Sequence, residues 1–332
     1  MSTHRPPASA IVGTGRYAPA KVLTNAELEK MVDTSDAWIT ERTGIRERRI
    51  AADGENTSDM AAVAARAALD SAGLGPSDLD MIIVGTVTGD SPMPATAVSV
   101  QQKIGAQNIP AFDISAACAG FLYGLSIGDQ FIRTGQMKRV LVVGVELLSR
   151  VLNWSDRTTC VLFGDGAGAV VLGPSGETGR GVVSTKIFTD GSLACTLTIP
   201  GGGSDLPLSH AALDEAKNKV QMVGSEVFKV AVRNLTSASK AAIEAAGLST
   251  GDIDWVVAHQ ANLRILTQVA SRLDIPLERF VINIERYGNT SSASIPIALD
   301  EALKDGRIKP GQTVLMCALG AGISWGSALV RM

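Results

Sequence analysis

Short, uninterrupted apolar runs recur along the chain and alternate with amphipathic segments. The clearest runs are MIIV (81–84), RVLVV (139–143), WVVA (255–258) and TVLMCAL (313–319). Runs of this length, bounded by turn residues, are typical of parallel strands that helices cover on both faces. Their alternation with helical segments predicts an α/β fold built of layers.

The order of these segments repeats. SAGLGPSDLDMIIV (71–84) matches AAGLSTGDIDWVVA (245–258) at an offset of 174; each reads as a helix end at glycine, a polar turn and a buried strand. TGQMKRVLVVG (134–144) has a counterpart in DGRIKPGQTVLMCALG (305–320) at an offset of about 171. Self-similarity of this kind predicts a duplicated architecture.

We place the boundary between the halves at residue 173, so that they span residues 1–173 and 174–332. Residues 173–224 contain GPSGETG and IPGGGSDLP and carry the main shift in composition. We interpret this segment as the connection between the halves plus an insertion. Packing two α/β halves together predicts a five-layered αβαβα arrangement.

Composition narrows the class of protein. The 332 residues are 45% apolar and 19% charged, which is enough for a large core. The formal net charge of -3 provides no overall basic field for nucleic acid or an anionic membrane. No apolar stretch approaches the length of a membrane span, and the first residues lack a signal-peptide pattern, so we expect a cytoplasmic protein.

The cysteines and histidines do not indicate a disulfide framework or a metal site. The four cysteines show no C-x-x-C pairing, and the three histidines are equally scattered. The cysteines are Cys118, Cys160, Cys195 and Cys317. We therefore expect no bound metal.

Cys118 is the candidate nucleophile. In DISAACAGFLYGLSIGDQF a β-like segment ends at small residues and a helix begins with Ala119 and Gly120. The N–H groups and the dipole of a helix N-terminus favour the thiolate, which is the reactive form of cysteine. The small residues leave room for a thioester to approach. A buried structural cysteine is the alternative interpretation.

Two further polar residues follow predicted strands or turns. His259 comes directly after WVVA, at the carboxyl end of a parallel strand, where α/β sheets place functional groups. Asn289, in ERYGNTSSAS, lies about 171 residues after Cys118, at the counterpart of the cysteine turn. A core histidine and a turn or N-cap asparagine are the alternatives. The repeat predicts that the Cys118 turn and the Asn289 turn lie around one pseudo-twofold axis.

Four motifs together resemble the β-ketoacyl-acyl carrier protein synthase III family of thiolase-fold condensing enzymes. They are DISAACAGF (113–121), HQAN (259–262), YGNTSSAS (287–294) and LGAGISWGSALVR (319–331), and the resemblance covers nearly the whole chain. It implies a homodimer that condenses an acyl-coenzyme A primer with malonyl-acyl carrier protein and needs no cofactor.

The family's catalytic cysteine, histidine and asparagine fall on Cys118, His259 and Asn289. The resemblance implies that Cys118 carries the acyl group while the other two residues donate hydrogen bonds to the malonyl thioester oxygen. The backbone N–H groups of Cys118 and Ala321 would hold the oxyanion of acyl transfer. Many relatives have a third glycine at position 321; alanine suits that role if its φ is negative.

The resemblance also implies a coenzyme A site. SDAWITERTGIRERR supplies Trp38, Arg42 and Thr43, an aromatic and basic stretch suited to a nucleotide. Trp38 and Arg157 would flank the adenine, Arg42 would approach the phosphates, and Asn262 would contact the pantetheine arm. An exposed basic helix end is the alternative for this stretch.

An acidic carrier protein requires a local basic patch on an enzyme that is not basic overall. Lys229 and Arg233 are four residues apart on one predicted helix, and Arg264 and Arg272 are eight apart on another. Each pair falls on roughly one helix face. These residues are the candidate docking patch, with ordinary solvated helix faces as the alternative.

Met93 lies between two prolines in TGDSPMPATAVS, which favours an extended loop. By resemblance this loop crosses the dimer interface, and Met93 closes the far end of the partner's acyl pocket. A methionine that only fills an irregular gap is the alternative.

Two other functions remain open at this level. One is a secondary-metabolism enzyme with the same fold that condenses or transfers another acyl group; the other is an inactive partner subunit, against which the three catalytic residues argue. FGDGAGAVVL (163–172) contains a G-x-G-x-x-A string, but it leads into a strand, whereas a dinucleotide fingerprint leads into a helix. We interpret it as close backbone packing.

Overall fold

The computed structural model describes residues 9–176 and 179–332; the beginning of the chain, where we expect no signal segment, lies largely outside the described residues. The strands are β1 (Ser9–Tyr17), β2 (Lys21–Thr24), β3 (Glu47–Ile50), β4 (Met81–Gly85), β5 (Ala111–Ile114), β6 (Val140–Glu146), β7 (Gly166–Pro174), β8 (Gly181–Thr189), β9 (Leu197–Thr198), β10 (Gln221–Met222), β11 (Trp255–Ala258), β12 (Thr313–Gly320) and β13 (Ser324–Arg331). The helices are α1 (Asn25–Leu28), α2 (Asp36–Thr43), α3 (Thr57–Ala72), α4 (Thr96–Ile104), α5 (Gly120–Arg133), α6 (His210–Asp214), α7 (Gly224–Ala245), α8 (Leu263–Leu273), α9 (Ile284–Tyr287) and α10 (Ser294–Lys304).

Two larger sheets have matching topologies. The first has the order β1-β7-β6-β4-β5, with β4 parallel to β5 and β6, and β7 antiparallel to β1 and β6. The second has the order β8-β13-β12-β11, with β11 parallel to β12, and β13 antiparallel to its two neighbours. Where β5 would have its counterpart, the second sheet has only a bridge between Val256 and Phe280.

The hydrogen bonds repeat in the same register. Asp80 N donates to Arg139 O at 2.9 Å, and Asp254 N donates to Thr313 O at 3.0 Å, so both partners are shifted by 174 residues. Each aspartate also accepts the N–H of its partner, at 2.8 Å from Arg139 and 2.7 Å from Thr313. The predicted duplication is confirmed.

Helices fill the space between the sheets and cover both outer faces. Helix α5 contacts β4, β6, β8 and β13, and α10 contacts β1, β7 and β11, so these two helices form a central layer. Helices α3 and α4 pack on the first sheet, and α7 and α8 on the second. The five-layered αβαβα fold is therefore confirmed. The central cluster joins Phe121 and Leu125 of α5 to Ile295 and Leu299 of α10.

The glycine-rich string at 163–172 does form a strand. An added Cβ at Gly168 of β7 would lie 2.7 Å from Ile297 N and 2.7 Å from Pro296 Cβ. Glycine therefore lets β7 approach α10 closely, as the close-packing interpretation predicted.

Residues 173–224 are only partly irregular. They contribute β8 to the edge of the second sheet, the short β9–β10 pair and helix α6. The position of the boundary between the halves stays a prediction. Within the described part of the chain, no helix has both the length and the hydropathy that a membrane crossing requires.

Candidate active site

Cys118 lies in the 3₁₀ turn Ala117–Ala119, directly before α5. Ala117 takes φ 45°, in the left-handed region that non-glycine residues adopt infrequently. The end of β12 meets this turn, since an added Cβ at Gly320 would lie 2.6 Å from Cys118 N. A side chain at position 320 would therefore displace the nucleophile turn.

The protonation of Cys118 differs from the sequence-based expectation. Burial raises the pKa of the thiol to about 12; a hydrogen bond with the Ser291 side chain opposes this change, and the charge of Glu146 adds to it. The expectation that the helix N-terminus favours the thiolate is wrong, because desolvation is the larger effect on the pKa of this thiol. Cys118 must therefore lose a proton when it attacks.

A cavity of about 450 Å³ opens beside Cys118. Its wall is mainly apolar and includes Val87, Leu148, Phe163, Ala194, Leu197, Ile199 and Val220. Several of these residues belong to the 173–224 segment. The interpreted insertion thus supplies part of the cavity wall, a role that sequence reasoning did not find.

Ala321 lines the same cavity as Cys118. It is absent from the described residues with positive φ, whereas Gly322 takes φ 69°. The condition placed on alanine at position 321 is therefore met. Its role as a backbone oxyanion donor stays a prediction.

His259 follows β11 and is held by its neighbours. Its backbone N–H donates to Cys317 O at 2.8 Å, and its Nδ1 lies 2.6 Å from Ser294 Oγ. Burial lowers the pKa of the imidazole to about 3, so the ring is neutral. Ser294 Oγ also accepts the Gln260 N–H at 3.3 Å, and its own proton can be donated to Nδ1. When Ser294 Oγ donates to Nδ1, the ring proton is on Nε2.

Asn289 is almost fully buried. Its Oδ1 accepts the N–H of Ser291 at 2.8 Å, and its backbone N–H donates to Leu162 O at 2.8 Å. With Oδ1 occupied, the carboxamide orientation is set and Nδ2 remains as a hydrogen-bond donor.

The relation between the two turns differs in detail from the expectation. The residues with matching left-handed conformations are Ala117 at φ 45° and Ser291 at φ 49°, which are 174 residues apart. Cys118 therefore corresponds to Ser292, and Asn289 to Ser115. The estimate of about 171 residues was wrong because it matched Asn289 directly to Cys118.

The two turns contact each other and bring the predicted residues into one site. Ser291 is hydrogen-bonded to the Cys118 side chain and to Asn289, and Ser294 of the same segment holds His259. Cys118 and Ser291 line the cavity, whereas His259 and Asn289 are not part of its lining.

Sequence reasoning missed Glu146, the last residue of β6. Its side chain is completely buried and accepts hydrogen bonds from Thr86 Oγ1, Val87 N and Ser291 Oγ, each at 3.2 Å, and from Thr88 Oγ1. Burial raises the pKa of this carboxyl group to about 7. An ionisable residue at the end of the apolar run VLVVGV is the same signal that identified His259.

Most of the predicted nucleotide residues lie together. The Trp38 ring faces the guanidinium groups of Arg42, 5.0 Å away, and Arg157, 5.6 Å away. Asn262 caps α8 by accepting the Arg264 N–H at 2.8 Å, and its Nδ2 donates to Arg42 O at 3.0 Å. The structure therefore places Trp38, Arg42, Arg157 and Asn262 in one cluster.

The expectation for Thr43 is not supported. Its side chain is buried; the hydroxyl donates to Ile39 O at 2.6 Å and accepts the Ile45 N–H at 3.0 Å. These bonds close the end of α2, so the hydroxyl is not available to a nucleotide.

The four residues of the docking patch are exposed on adjacent helices: Lys229 and Arg233 on α7, Arg264 and Arg272 on α8. Lys229 is paired with Glu226 at 3.2 Å, and the Arg264 guanidinium lies 5.9 Å from the Phe228 ring centroid.

Met93 lies in the loop between β4 and α4, with its side chain 85% exposed. It does not line the cavity of its own chain. Its predicted role in a partner's pocket stays a prediction. Across residues 9–176 and 179–332, no group of three potential metal ligands is found.

Comparisons with known proteins show which family the chain is similar to. Residues 112–191 match the family model of 3-oxoacyl-[acyl-carrier-protein] synthase III, and residues 243–332 match the model of its C-terminal part. The β-ketoacyl-[acyl-carrier-protein] synthase III of Caldanaerobacter subterraneus is 51% identical, with 98% of each chain covered. That of Paramagnetospirillum magneticum is 52% identical, covering 98% of this chain and 99% of the relative.

Solved structures show the same likeness. The 3-oxoacyl-[acyl-carrier-protein] synthase III of Aquifex aeolicus VF5 has a TM-score of 0.91 and 47% identity, covering 98% of this chain and 100% of the other. The priming β-ketosynthase of the R1128 polyketide pathway has a TM-score of 0.90 and 35% identity, covering 100% and 98%. With full-length relatives at about half identity and both parts of the family model matched, the chain belongs to the 3-oxoacyl-[acyl-carrier-protein] synthase III family.

Proposed function

We propose that this enzyme condenses an acyl-coenzyme A primer, such as acetyl-coenzyme A, with malonyl-acyl carrier protein and so initiates fatty acid synthesis. The observation that carries the proposal is Cys118 at a helix start, beside an apolar cavity of about 450 Å³. A thiol in that position can accept an acyl group whose chain enters the cavity. Coenzyme A enters as part of the primer substrate, and the reaction needs no cofactor.

In the first half-reaction Cys118 attacks the primer thioester and coenzyme A leaves. The backbone N–H groups of Cys118 and Ala321 stabilise the tetrahedral oxyanion. The negative φ of Ala321 and its place in the cavity wall support this assignment.

In the second half-reaction His259 Nε2 and Asn289 Nδ2 donate to the thioester oxygen of the malonyl group. Loss of carbon dioxide then produces an enolate, which attacks the acyl group on Cys118. Both donors need to be neutral and oriented in advance. The bonds from Ser294 to His259 and from Ser291 to Asn289 support that role.

The Trp38 cluster is the proposed coenzyme A site, with Trp38 and Arg157 at the adenine, Arg42 at the phosphates and Asn262 at the pantetheine arm. Lys229, Arg233, Arg264 and Arg272 are the proposed contacts of the carrier protein. Their exposure on α7 and α8 supports a docking surface.

We also propose a homodimer that works in the cytoplasm. Strand β5 is the last in its sheet, and Met93 nearby is 85% exposed. An open strand edge is a surface that a second chain can cover.

The second candidate is a priming reaction of secondary metabolism, which the likeness to a polyketide priming β-ketosynthase favours. A panel of acyl-coenzyme A primers with malonyl-acyl carrier protein separates the two. Efficient condensation from acetyl-coenzyme A supports the first candidate, and a preference for another acyl group supports the second.

Mass spectrometry of the enzyme after incubation with acetyl-coenzyme A tests the shared first step. We expect a thioester on Cys118, with Cys118→Ala as the unlabelled control. An unmodified Cys118, with no condensation product from any primer, would contradict both candidates.

A further inference from the structure

A chain of neighbouring polar side chains leads from the nucleophile to a buried acid. The Ser291 hydroxyl interacts with the Cys118 thiol and opposes the rise of its pKa, both residues line the cavity, and Ser291 Oγ donates to Glu146 Oε1 at 3.2 Å. Glu146 is on β6 and Ser291 is 145 residues later, so only the packing of the two halves creates this contact. Among residues 9–176 and 179–332, the Ser291 hydroxyl is the group that interacts with both the thiol and the carboxylate.

The conformation of Ser291 is constrained. Its φ of 49° is in the left-handed region, and its N–H is held by Asn289 Oδ1 at 2.8 Å. Such backbone conformations persist where the surroundings over-determine them, and they cluster at active sites. Here the constraint directs one hydroxyl toward both Cys118 and Glu146.

Glu146 has no ion-pair partner among the described residues, although its side chain is completely buried. The other hydrogen-bond donors to its carboxylate are the hydroxyls of Thr86 and Thr88 and the N–H of Val87. A buried carboxylate without a cation is costly, and structures retain few of them without a function. The titratable group that faces it is Cys118; His259, held by Ser294 on the same turn segment, is neutral.

We propose that Glu146 accepts the proton of Cys118 through the Ser291 hydroxyl when the primer is loaded, and returns it when the product leaves. The identity of the thioester rests on the proposed function.

Each proton transfer accompanies the making or breaking of the thioester bond at Cys118. As the sulfur–carbonyl bond forms, the Cys118 proton passes to Ser291 Oγ and the Ser291 proton passes to the Glu146 carboxylate. Coenzyme A departs as a thiolate and takes its proton from water, so the acyl-enzyme holds a neutral Glu146. After the enolate attacks, the bond to Cys118 breaks, and the released thiolate recovers the proton by the same route.

The test is the pH dependence of two rates measured between pH 5.5 and 9. One is single-turnover release of coenzyme A from acetyl-coenzyme A; the other is alkylation of Cys118 by iodoacetamide in substrate-free enzyme. Because burial raises the pKa of Glu146 to about 7, we expect both wild-type rates to rise with pH and level off above about pH 7. Above pH 7, Glu146→Gln should lower both rates about 10²-fold, since general bases contribute at least that much. Neither rate of this variant should show the inflection near pH 7.

Ser291→Ala is the second variant, because it breaks the link and keeps the carboxylate. Alanine already occupies the matching left-handed position at Ala117, so the turn accommodates it. Thr86→Val is the matched control: it removes a 3.2 Å hydrogen bond to Glu146 but leaves the relay. It should keep the inflection and move it to higher pH, because the carboxylate loses one donor.

Retention of the wild-type inflection by both Glu146→Gln and Ser291→Ala would overturn the proposal. If Glu146→Gln does not fold, Ser291→Ala decides in the same way. Alkylation involves no thioester, so its outcome is independent of the proposed reaction. An enzyme that shows the inflection in alkylation but is not acylated by any primer contradicts the proposed function and still supports the relay.

Discussion

The polar side chains of the site are held by short hydrogen bonds before any substrate arrives. Asn289 is oriented by the Ser291 N–H at 2.8 Å and His259 by Ser294 Oγ at 2.6 Å. Donors fixed in this way need no reorganisation when negative charge develops on a substrate oxygen. The geometry thus favours these two residues as a pair of neutral donors that act together.

The division of labour between the residues is testable. We expect His259→Ala or Asn289→Ala to abolish decarboxylation of malonyl-acyl carrier protein, because each removes a donor to the developing enolate, a loss of about 10² to 10³ in rate. Acylation of Cys118 should remain measurable in the same variants and serves as the internal control. Carbon dioxide release at the wild-type rate would show that the assignment is incorrect.

The buried ionisable residues also predict a pH-dependent stability. Burial raises the pKa of Glu146 from 4.5 to about 7, so between these pH values the folded protein binds more protons than the unfolded chain. This group therefore destabilises the fold as pH rises through that window. Relative to wild type, Glu146→Gln should gain on the order of 3 kcal/mol in unfolding free energy between pH 4.5 and pH 7.5, since one pKa unit is about 1.4 kcal/mol.

His259 acts in the opposite direction. Burial lowers the pKa of its imidazole from 6.5 to about 3, so its contribution to stability is lost as pH falls below 6.5. This effect is common to wild type and Glu146→Gln, and the difference between their denaturation curves isolates Glu146. A difference that does not change with pH would show that Glu146 titrates normally.

At the scale of elements, helices α7 and α8 pack side by side and present the basic patch. Lys229 is 72% exposed and is held only by a surface ion pair to Glu226. Surface pairs of this kind contribute little to stability. The positive charges are therefore free to serve in encounters with an acidic partner.

We expect Lys229→Glu or Arg264→Glu to weaken the use of malonyl-acyl carrier protein and reduce its salt dependence, while acylation by acetyl-coenzyme A is spared. Charges at the rim of an interface mainly set encounter and register. Lys309→Glu is the matched control, because Lys309 is exposed just before β12, at the end of that strand away from Cys118. An equal loss in both half-reactions would indicate misfolding and contradict the docking assignment.

At the scale of the whole molecule, the cavity depends on both halves of the chain. Leu148 and Phe163 precede β8, the first strand of the second sheet in chain order, and Leu197, Ile199 and Val220 follow it. Met93 is 85% exposed and is not among the residues that line this cavity, so any effect of Met93 on primer length requires a second chain.

The wild type should load primers longer than acetyl, and Met93→Phe should shift preference toward acetyl without reducing acetyl turnover. An unbranched thioether can move aside through three torsions, whereas a phenyl ring is rigid and has two. Each methylene denied burial should cost about 0.8 kcal/mol, so the discrimination should grow with chain length. Competition between primers measures this effect, and ultracentrifugation should show a mass near twice the 34.5 kDa chain. An unchanged chain-length profile would exclude Met93 from the pocket.

Local patterns in the sequence determined much of this protein. The apolar runs became β4, β6, β11 and β12, and the repeat became two sheets with matching topology. The small-residue turn at Cys118 and the strand end at His259 were also readable. These features depend on near neighbours in the chain, through strand burial and turn chemistry.

Only the tertiary structure decided the pKa values of the buried groups, their hydrogen-bond partners and the composition of the cavity wall. The raised pKa of Cys118 follows from burial, and the hydrogen bond from Ser291 to Glu146 joins residues 145 apart. The hydroxyl of Thr43 is hydrogen-bonded within the end of α2. The cavity wall includes Ala194, Leu197, Thr198 and Ile199, which belong to the segment interpreted as an insertion. Desolvation and long-range hydrogen bonds depend on which distant segments pack together, and no local pattern encodes that.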